Sequence, residues 1–538
     1  PNSAERRYQK TLSKNFTLYA DYKKNFNDRH DLSVMVGTSH ESENYDRFTA
    51  KRINFDQQEN MSLQLGSAQD QNAWSEGNQW TINSFFSRVN YTFANKYVIE
   101  GTIRADGSSR FDPDHRWGWF PGVNAAWRIG EEGFMKRLGW FEDLKVRASY
   151  GEMGNQSGIG LYDYIQLISL SNDYYPFGTG VKGQMATSGN IISTSRTWET
   201  IQTTNVGFDF STLNNRLYGS FDYFWKENKN MLIPKTYPSM LGADAPSTNS
   251  GHLSIHGWEI SLGWRDQIKD FSYSVRFNIS DAKNKVVDRV GSNLIQLGNN
   301  ETPTGYPLNS YFGYEFDGII QNEQELEAYK SRFSEGGIPG DLSVGDAMYK
   351  DLDGDGKLSV LGDGKEGSGD MKYLGDKNPR YNFGFNLSMA WKGFDLSAFI
   401  QGVGRRTMFL EGESRCPMPE AWYQSAEYWY GKTWTPERTD AQYPAITLKD
   451  KRNYNYYVST NTKFNVAYAR LKNLQFGYTI PQTLTSKAGL QKVRVYFSGE
   501  DLFEVHNTPN GWDPEENSGS ITSYPFTRNY SFGINVVF

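Results

Sequence analysis

The stretch Asn529–Phe538, NYSFGINVVF, decides the fold class. Tyr530, Phe532, Ile534, Val536 and Phe538 are apolar, and Ser531, Gly533 and Asn535 between them are small or polar. A repeat of two puts these sets on opposite faces of a β-strand. Chain ends fray unless they are tied into a sheet. A pattern kept up to the terminal carboxylate therefore predicts a closing strand with one face in an apolar solvent.

The same alternation recurs upstream. It covers Leu12–Phe26 and Asp31–Glu41, then Phe85, Val89, Tyr91 and Phe93, then Trp117, Trp119, Val123, Ala125 and Trp127. Leu144–Tyr150, Val206–Phe210, Leu217–Trp225, Ile260–Trp264, Phe271–Ile279, Phe383–Trp391, Phe394–Ile400, Leu474–Ile480 and Val493–Phe497 continue it. About fifteen segments of this kind are readable. Short turns such as Asn27-Asp28-Arg29, Ala94-Asn95-Lys96, Leu213-Asn214-Asn215 and Lys392-Gly393 alternate with long polar segments near 43–78, 155–197, 231–252, 283–379, 406–462 and 504–525. Tight turns on one side and long loops on the other are the layout of an outer-membrane barrel. A sandwich or propeller spreads its connections more evenly. The expected fold is therefore all-β, a transmembrane antiparallel β-barrel with long extracellular loops.

Composition agrees with this reading. Mean hydropathy is -0.68, and no apolar run reaches the length of a membrane-spanning helix. Yet aromatics make up 15 % of the 538 residues, with 34 Tyr, 33 Phe and 15 Trp. A polar average rich in aromatics suits alternating strands with interfacial girdles, and it equally suits a glycan-binding β protein. A net charge of -6 argues against nucleic acid as a partner. The single cysteine, Cys416, excludes an intrachain disulfide and a cysteine-based zinc site.

The sharpest chemical motif is Asp351-Leu-Asp353-Gly-Asp355-Gly356-Lys357-Leu-Ser359. Carboxylates at alternate positions, with glycine at the sixth, wrap a hard cation with oxygens, and Lys357 contributes its backbone carbonyl. Position twelve, normally acidic, is Gly362, so Asp363 or, after an insertion, Asp370 would complete the set. A structural Ca²⁺ or Mg²⁺ is the expected occupant, and a solvated acidic turn is the alternative. Loop aromatics are the candidate cargo contacts: Trp74, Trp80, Tyr174, Tyr175, Trp422, Tyr423 and Trp429. Their rings stack on sugars or pack on peptide side chains, and loop packing or a membrane girdle is the competing reading. Arg88, Arg104, Arg128, Arg147 and Arg276 are expected on the lumen side. Enzyme signatures are poor. His252 and His256 lack the order of a metalloprotease helix, and Gly178-Thr-Gly180-Val-Lys-Gly183 lacks the flanking strand and helix of a nucleotide site. No organic cofactor is expected.

Several segments carry a family resemblance: RVNYTFANKYVIEGTIRADGSSRF (88–111), WGWFPGVNAAWRIGEEGFMK (117–136), LKVRASYGEMGNQ (144–156), WETIQTTNVGFDF (198–210), TWTPERTDAQYPA (433–445), ARLKNLQFGYTIP (469–481) and SGEDLFEVHN (498–507). Together they resemble the SusC/RagA-like TonB-dependent transporters of Bacteroidetes outer membranes. The resemblance implies a barrel of about 22 strands filled by an N-terminal plug, capped by a SusD-like lipoprotein and energised by a TonB complex. It implies cargo, an oligosaccharide or oligopeptide, too large for passive pores. It also matches Asp370 before Leu374-Gly375 to the acidic residue that follows the family's cation loop. On this reading residues 1–538 are the C-terminal part of an outer-membrane β-barrel, and 283–379 is a long extracellular loop region containing the Asp-rich loop. A secreted or surface glycan-binding β protein is the alternative, and a barrel-embedded hydrolase a weaker one.

Overall fold

The computed structural model describes residues 2–56, 59, 61–69, 71–171, 176–177, 181–182, 185–189, 191–234, 240, 246–288, 303–360, 369–419, 424–447, 450–516, 524 and 526–538. Fifteen strands form one antiparallel sheet in simple sequence order. They are β1 (Ser3–Phe26), β2 (His30–Ile53), β3 (Gln71–Phe93), β4 (Tyr97–Ser108), β5 (Trp117–Arg128), β6 (Asp143–Asn155), β7 (Glu199–Thr212), β8 (Leu217–Pro234), β9 (Ser247–Ile268), β10 (Phe271–Asp288), β11 (Arg380–Trp391), β12 (Phe394–Arg405), β13 (Tyr468–Thr479), β14 (Lys492–His506) and β15 (Asn529–Val537). The stretch NYSFGINVVF is β15, paired with β14 from Asn529↔Glu500 to Val537↔Lys492. No helix among the described residues is long and apolar enough to cross a membrane, which leaves crossing by strands untouched. By contacts the chain divides into two units: Pro1–Arg128 with Arg147–Asn205 and Lys226–His252, and the remainder.

Tight turns fix the register. Asn27 and Asp28 have φ of 53° and 55°, and Ala94 and Asn95 have 52° and 57°. Two consecutive left-handed residues make the turn whose twist matches a right-twisted hairpin. Asparagine and aspartate tolerate that region best after glycine, and Gly393 supplies it after Lys392. From these turns the parity of each strand follows. In β3 to β5 the odd positions Phe85, Val89, Ile99, Ile103, Trp119 and Val123 are exposed apolar side chains on one face. Near the turns of the same unit, Phe93, Tyr97 and Trp127 form a row of near-parallel rings with successive centroids 6.3 Å apart. A row of aromatics bordering an apolar band is what a strand wall needs where lipid meets water.

Two sequence expectations need correction. The segment 43–78 was expected to be a loop, but β2 runs on to Ile53 and β3 begins at Gln71. The segment 231–252 likewise contains the ends of β8 and β9. In these extensions apolar residues such as Tyr45, Phe48, Trp74 and Met231–Ile233 are mixed with charged and polar ones on both faces, so the pairing leaves no clean period-two signal, while the backbone ladder continues regardless.

The long loops are folded rather than trailing. Ser310–Gly313 pairs with Lys372–Asp376, and Phe316–Ile319 with Ala347–Tyr349. One helix, Glu323–Lys330, lies within QELEAYKSRF (324–333) and its flank. Its cap is reciprocal: the Asn322 side chain accepts from the Glu325 N–H, and Glu325 accepts from the Gln321 N–H. These pieces enclose a core of Tyr314, Ile320, Leu326, Tyr329, Tyr349 and Tyr454, the last contributed by the 406–467 connection. A second core holds Met408, Tyr428, Trp429, Tyr443, Tyr456 and Trp512.

Candidate functional site

The acidic loop starts where the short strand Ala347–Tyr349 ends. Asp351 draws the chain round itself: its carboxylate accepts from Gly354 N–H (2.6 Å) and Gly356 N–H (2.9 Å). Both glycines have left-handed φ, 75° and 76°, which that wrap requires. Asp353 accepts from Asp355 N–H and Gly369 N–H, and Asp355 accepts from Lys357 N–H. Asp370 returns from the far end of the loop and accepts from Leu352 N–H (2.6 Å) and Ser359 N–H (2.8 Å). Its own N–H donates to the Ser359 carbonyl.

As a result, carboxylate oxygens of Asp351, Asp353 and Asp370 lie within 4.8 Å of one another. Asp370 is fully buried. Burial pushes its carboxyl up, the N–H groups of Ser359 and Leu352 pull it back, and the charges of Asp353 and Asp351 push it further up. Each carboxylate has about four lone-pair sites, so oxygens remain after the N–H contacts. All donors are hard oxygens, the chemistry of Ca²⁺ and Mg²⁺ rather than of a soft metal. The residues therefore fit such an ion. Of the expected set, Asp351, Asp353 and Asp370 converge. Asp355, Lys357 and Ser359 stand in the same loop but outside that trio. Gly362 and Asp363 lie outside the described residues.

Glu315 ties the two stems of this loop together, a role no sequence signal announced. It accepts from Lys350 Nζ at 2.8 Å, one residue before Asp351, and from Lys372 Nζ at 2.6 Å, two residues after Asp370. The Lys350 and Lys372 hydrogen bonds hold its carboxyl at about 2, below its ordinary 4.5. A depressed carboxylate stabilises above its ordinary range, and that stability disappears as pH falls towards the depressed value. The clamp is thus expected to hold at neutral pH and to open on acidification between 4.5 and about 2. Glu315→Gln should remove that part of the pH profile, read as proteolytic cutting near 350 and 372; an unchanged profile refutes the clamp. The clamp is exposed and salt-screened, so a small effect is expected.

The aromatic candidates separate clearly. Trp74 is 38 % exposed on β3. Trp80 donates from Nε1 to Glu43 (3.3 Å), and the Arg110 guanidinium lies over its ring at 5.6 Å. Trp429 is buried, with Tyr443 and Tyr456 against its ring at 4.9 and 5.5 Å, so here it is a packing residue. Tyr174, Tyr175, Trp422 and Tyr423 lie outside the described residues, as does most of the 178–183 glycine stretch. His252 donates to or accepts from Glu227 at 2.6 Å. The arginines serve the wall: Arg104 bonds Asp106 and Ser84, Arg128 bonds Asn95, Arg147 bonds Asn205 and Arg276 bonds Tyr218.

A further cluster went unnoticed in the sequence. Arg470 on β13 is 1 % exposed. It donates to Asp513 (2.7 Å), pairs with Glu515 (3.0 Å) and faces Glu504 (3.6 Å). Lys472 pairs with Asp501 and Glu515, and Arg406 donates to the carbonyls of Pro514 and Glu516. The run Asp513-Pro-Glu-Glu516 is thereby held by three cations. Acidic residues more than forty positions away gave sequence reading no spacing to detect.

A strand wall of this kind, with an apolar band, tight turns and folded loops, defines a β-barrel membrane protein. The chain belongs to the TonB dependent receptor-like, β-barrel family, whose profile matches residues 1–502. It is 32 % identical to TonB-dependent receptor P3 of Formosa agariphila over 98 % of this chain and 52 % of that protein. It is 26 % identical to TonB-dependent receptor SusC of Bacteroides thetaiotaomicron over 99 % of this chain and 50 % of that protein. Its fold matches the structure of the RagAB peptide transporter with a TM-score of 0.81 at 23 % identity, covering 99 % of this chain and 56 % of the other. The chain spans about half the length of the curated relatives it matches.

Proposed function

We propose that this chain is the barrel wall and loop region of a TonB-dependent importer. It carries oligosaccharide or oligopeptide across the outer membrane beneath a SusD-like lipoprotein lid. The observation that carries the reading is the fifteen-stranded antiparallel wall of a TonB-dependent receptor-like family member, with its exposed apolar band. The likeness to TonB-dependent receptor SusC and to the RagAB peptide transporter supports nutrient import. The energy comes from a TonB complex acting through a plug that precedes these residues in the full protein, and the reading includes no catalytic step. The test is purification. The full protein should need detergent to stay monodisperse and should bring down one surface lipoprotein at equal stoichiometry. Monodispersity without detergent, or uptake unchanged when the gene is deleted, would sink the reading.

Asp351, Asp353 and Asp370 would hold a structural Ca²⁺ or Mg²⁺, offsetting their mutual repulsion and closing the loop onto its core. Chelation is expected to expose residues 351–370 to protease, and added Ca²⁺ should restore protection. Asp370→Asn should be cut with or without the ion. Identical cleavage in chelator and in Ca²⁺ removes the metal.

A further inference from the structure

β3 pairs with β2 from Gln71 to Phe93 without a register shift. On its other side β4 covers only Ile82–Phe93. The next backbone groups down the strand's free edge are met by substitutes for a strand. Thr81 N–H donates to Ser109 Oγ, and Thr81 O accepts from Ser109 N–H. Gln79 N–H donates to the Tyr162 hydroxyl at 3.0 Å. Because backbone groups alternate sides along a strand, those of Gly77, Ser75 and Ala73 project to the same side as Gln79 and Thr81. Among the described residues no strand pairs with this edge.

A cavity of about 490 Å³ opens beside the same residues, lined among others by Lys10, Leu12, Asp46, Gly77, Gln79 and Tyr162. The register places Lys10, Asp46 and Gly77 in one row, and Leu12, Asn44 and Gln79 in the next. Trp74, at an even position, stands on the opposite face and is exposed.

We propose that this edge binds an extended oligopeptide by strand addition. The open edge recognises backbone, since donors and acceptors recurring about every 7 Å match an extended peptide and not a sugar chain. The cavity takes an alternate side chain, and Trp74 packs against the neighbours that point the other way. Tyr162 at Gln79 and the start of the strand at Gln71 bound the open run, which suits a short free peptide rather than a continuous strand of a folded partner. The edge also lacks the lysines, prolines and bulges that usually block such pairing. This inference rests on the import reading and names a peptide as cargo.

The test uses the full protein in detergent with a fluorescent, end-blocked heptapeptide of alternating threonine and valine. Ser75→Pro with Gly77→Pro removes two donors on the open side and leaves the bonds to β2, so the wall should fold; unchanged heat-modifiable mobility checks this. Affinity is expected to fall at least about tenfold in the double variant. A peptide N-methylated at alternate residues should fail to compete. Equal binding by variant and wild type, equal competition by the N-methylated peptide, or displacement by maltoheptaose overturns the proposal. So does a double variant that loses the co-purifying lipoprotein while binding peptide normally, because the edge then belongs to that partner. Peptide bound by the intact protein but not taken up by cells that carry it counts against the import reading alone.

Discussion

Replacing Arg470 by methionine is expected to release the segment 507–516 from the wall and to cost about 3–5 kcal/mol, the usual effect of removing one partner of a buried ionic network. The side chain is 1 % exposed and serves Asp513, Glu515 and Glu504 together. Without it, these carboxylates remain beside each other in a site from which water is largely excluded. The Phe526 ring, 4.2 Å from the guanidinium carbon, loses its cation as well. Arg470→Lys keeps the charge but not the planar fork, and should fall between the two. Denaturant unfolding in micelles, with protease mapping of 507–516, measures both effects. An unchanged midpoint with no new cleavage would show that the network contributes nothing.

Tyr349→Ala should have a comparable effect in a different place. Tyr349 is 1 % exposed in the loop core. Its hydroxyl donates to the Tyr454 carbonyl at 2.8 Å, and its N–H donates to the Tyr329 hydroxyl at 2.9 Å. Tyr329 and Tyr454 share a further hydroxyl contact at 2.7 Å. Burial raises the Tyr349 and Tyr454 hydroxyls well above 10, so both remain protonated donors across the working range. Truncation removes a ring from a packed core, typically about 3–5 kcal/mol. Tyr349→Phe keeps the ring and loses one donor, about 1 kcal/mol. The readout is hydrogen exchange at 310–360 and 450–460. Because Tyr454 and Asn455 come from the other connection, both segments should lose protection together. Loss at only one would refute their co-folding.

The wall was legible because its physics is local. Each strand of β3 to β5 alternates on its own, and Asn27-Asp28 or Lys392-Gly393 marks a turn without reference to anything distant. The acidic loop was half legible: Asp351, Asp353 and Gly356 are neighbours, whereas Asp370 was placed by resemblance. Trp429 misled, since an exposed and a buried tryptophan look alike in a sequence. The extensions of β2 and β3 were missed because their apolar residues, Tyr45, Phe48 and Trp74 among them, do not alternate with the polar ones.

The amino-acid order alone therefore determined an antiparallel strand wall, ending in Tyr530–Phe538, and the alternating acidic residues of Asp351–Asp355, because both are patterns of near neighbours. Only the tertiary structure decided that Glu315 spans the loop's two stems, that Arg470 holds Asp513 and Glu515, and that an edge of β3 stays open beside a cavity. Those pairings bring together residues from separate connections, and no repeat along a chain encodes which distant side chains loop closure will bring together.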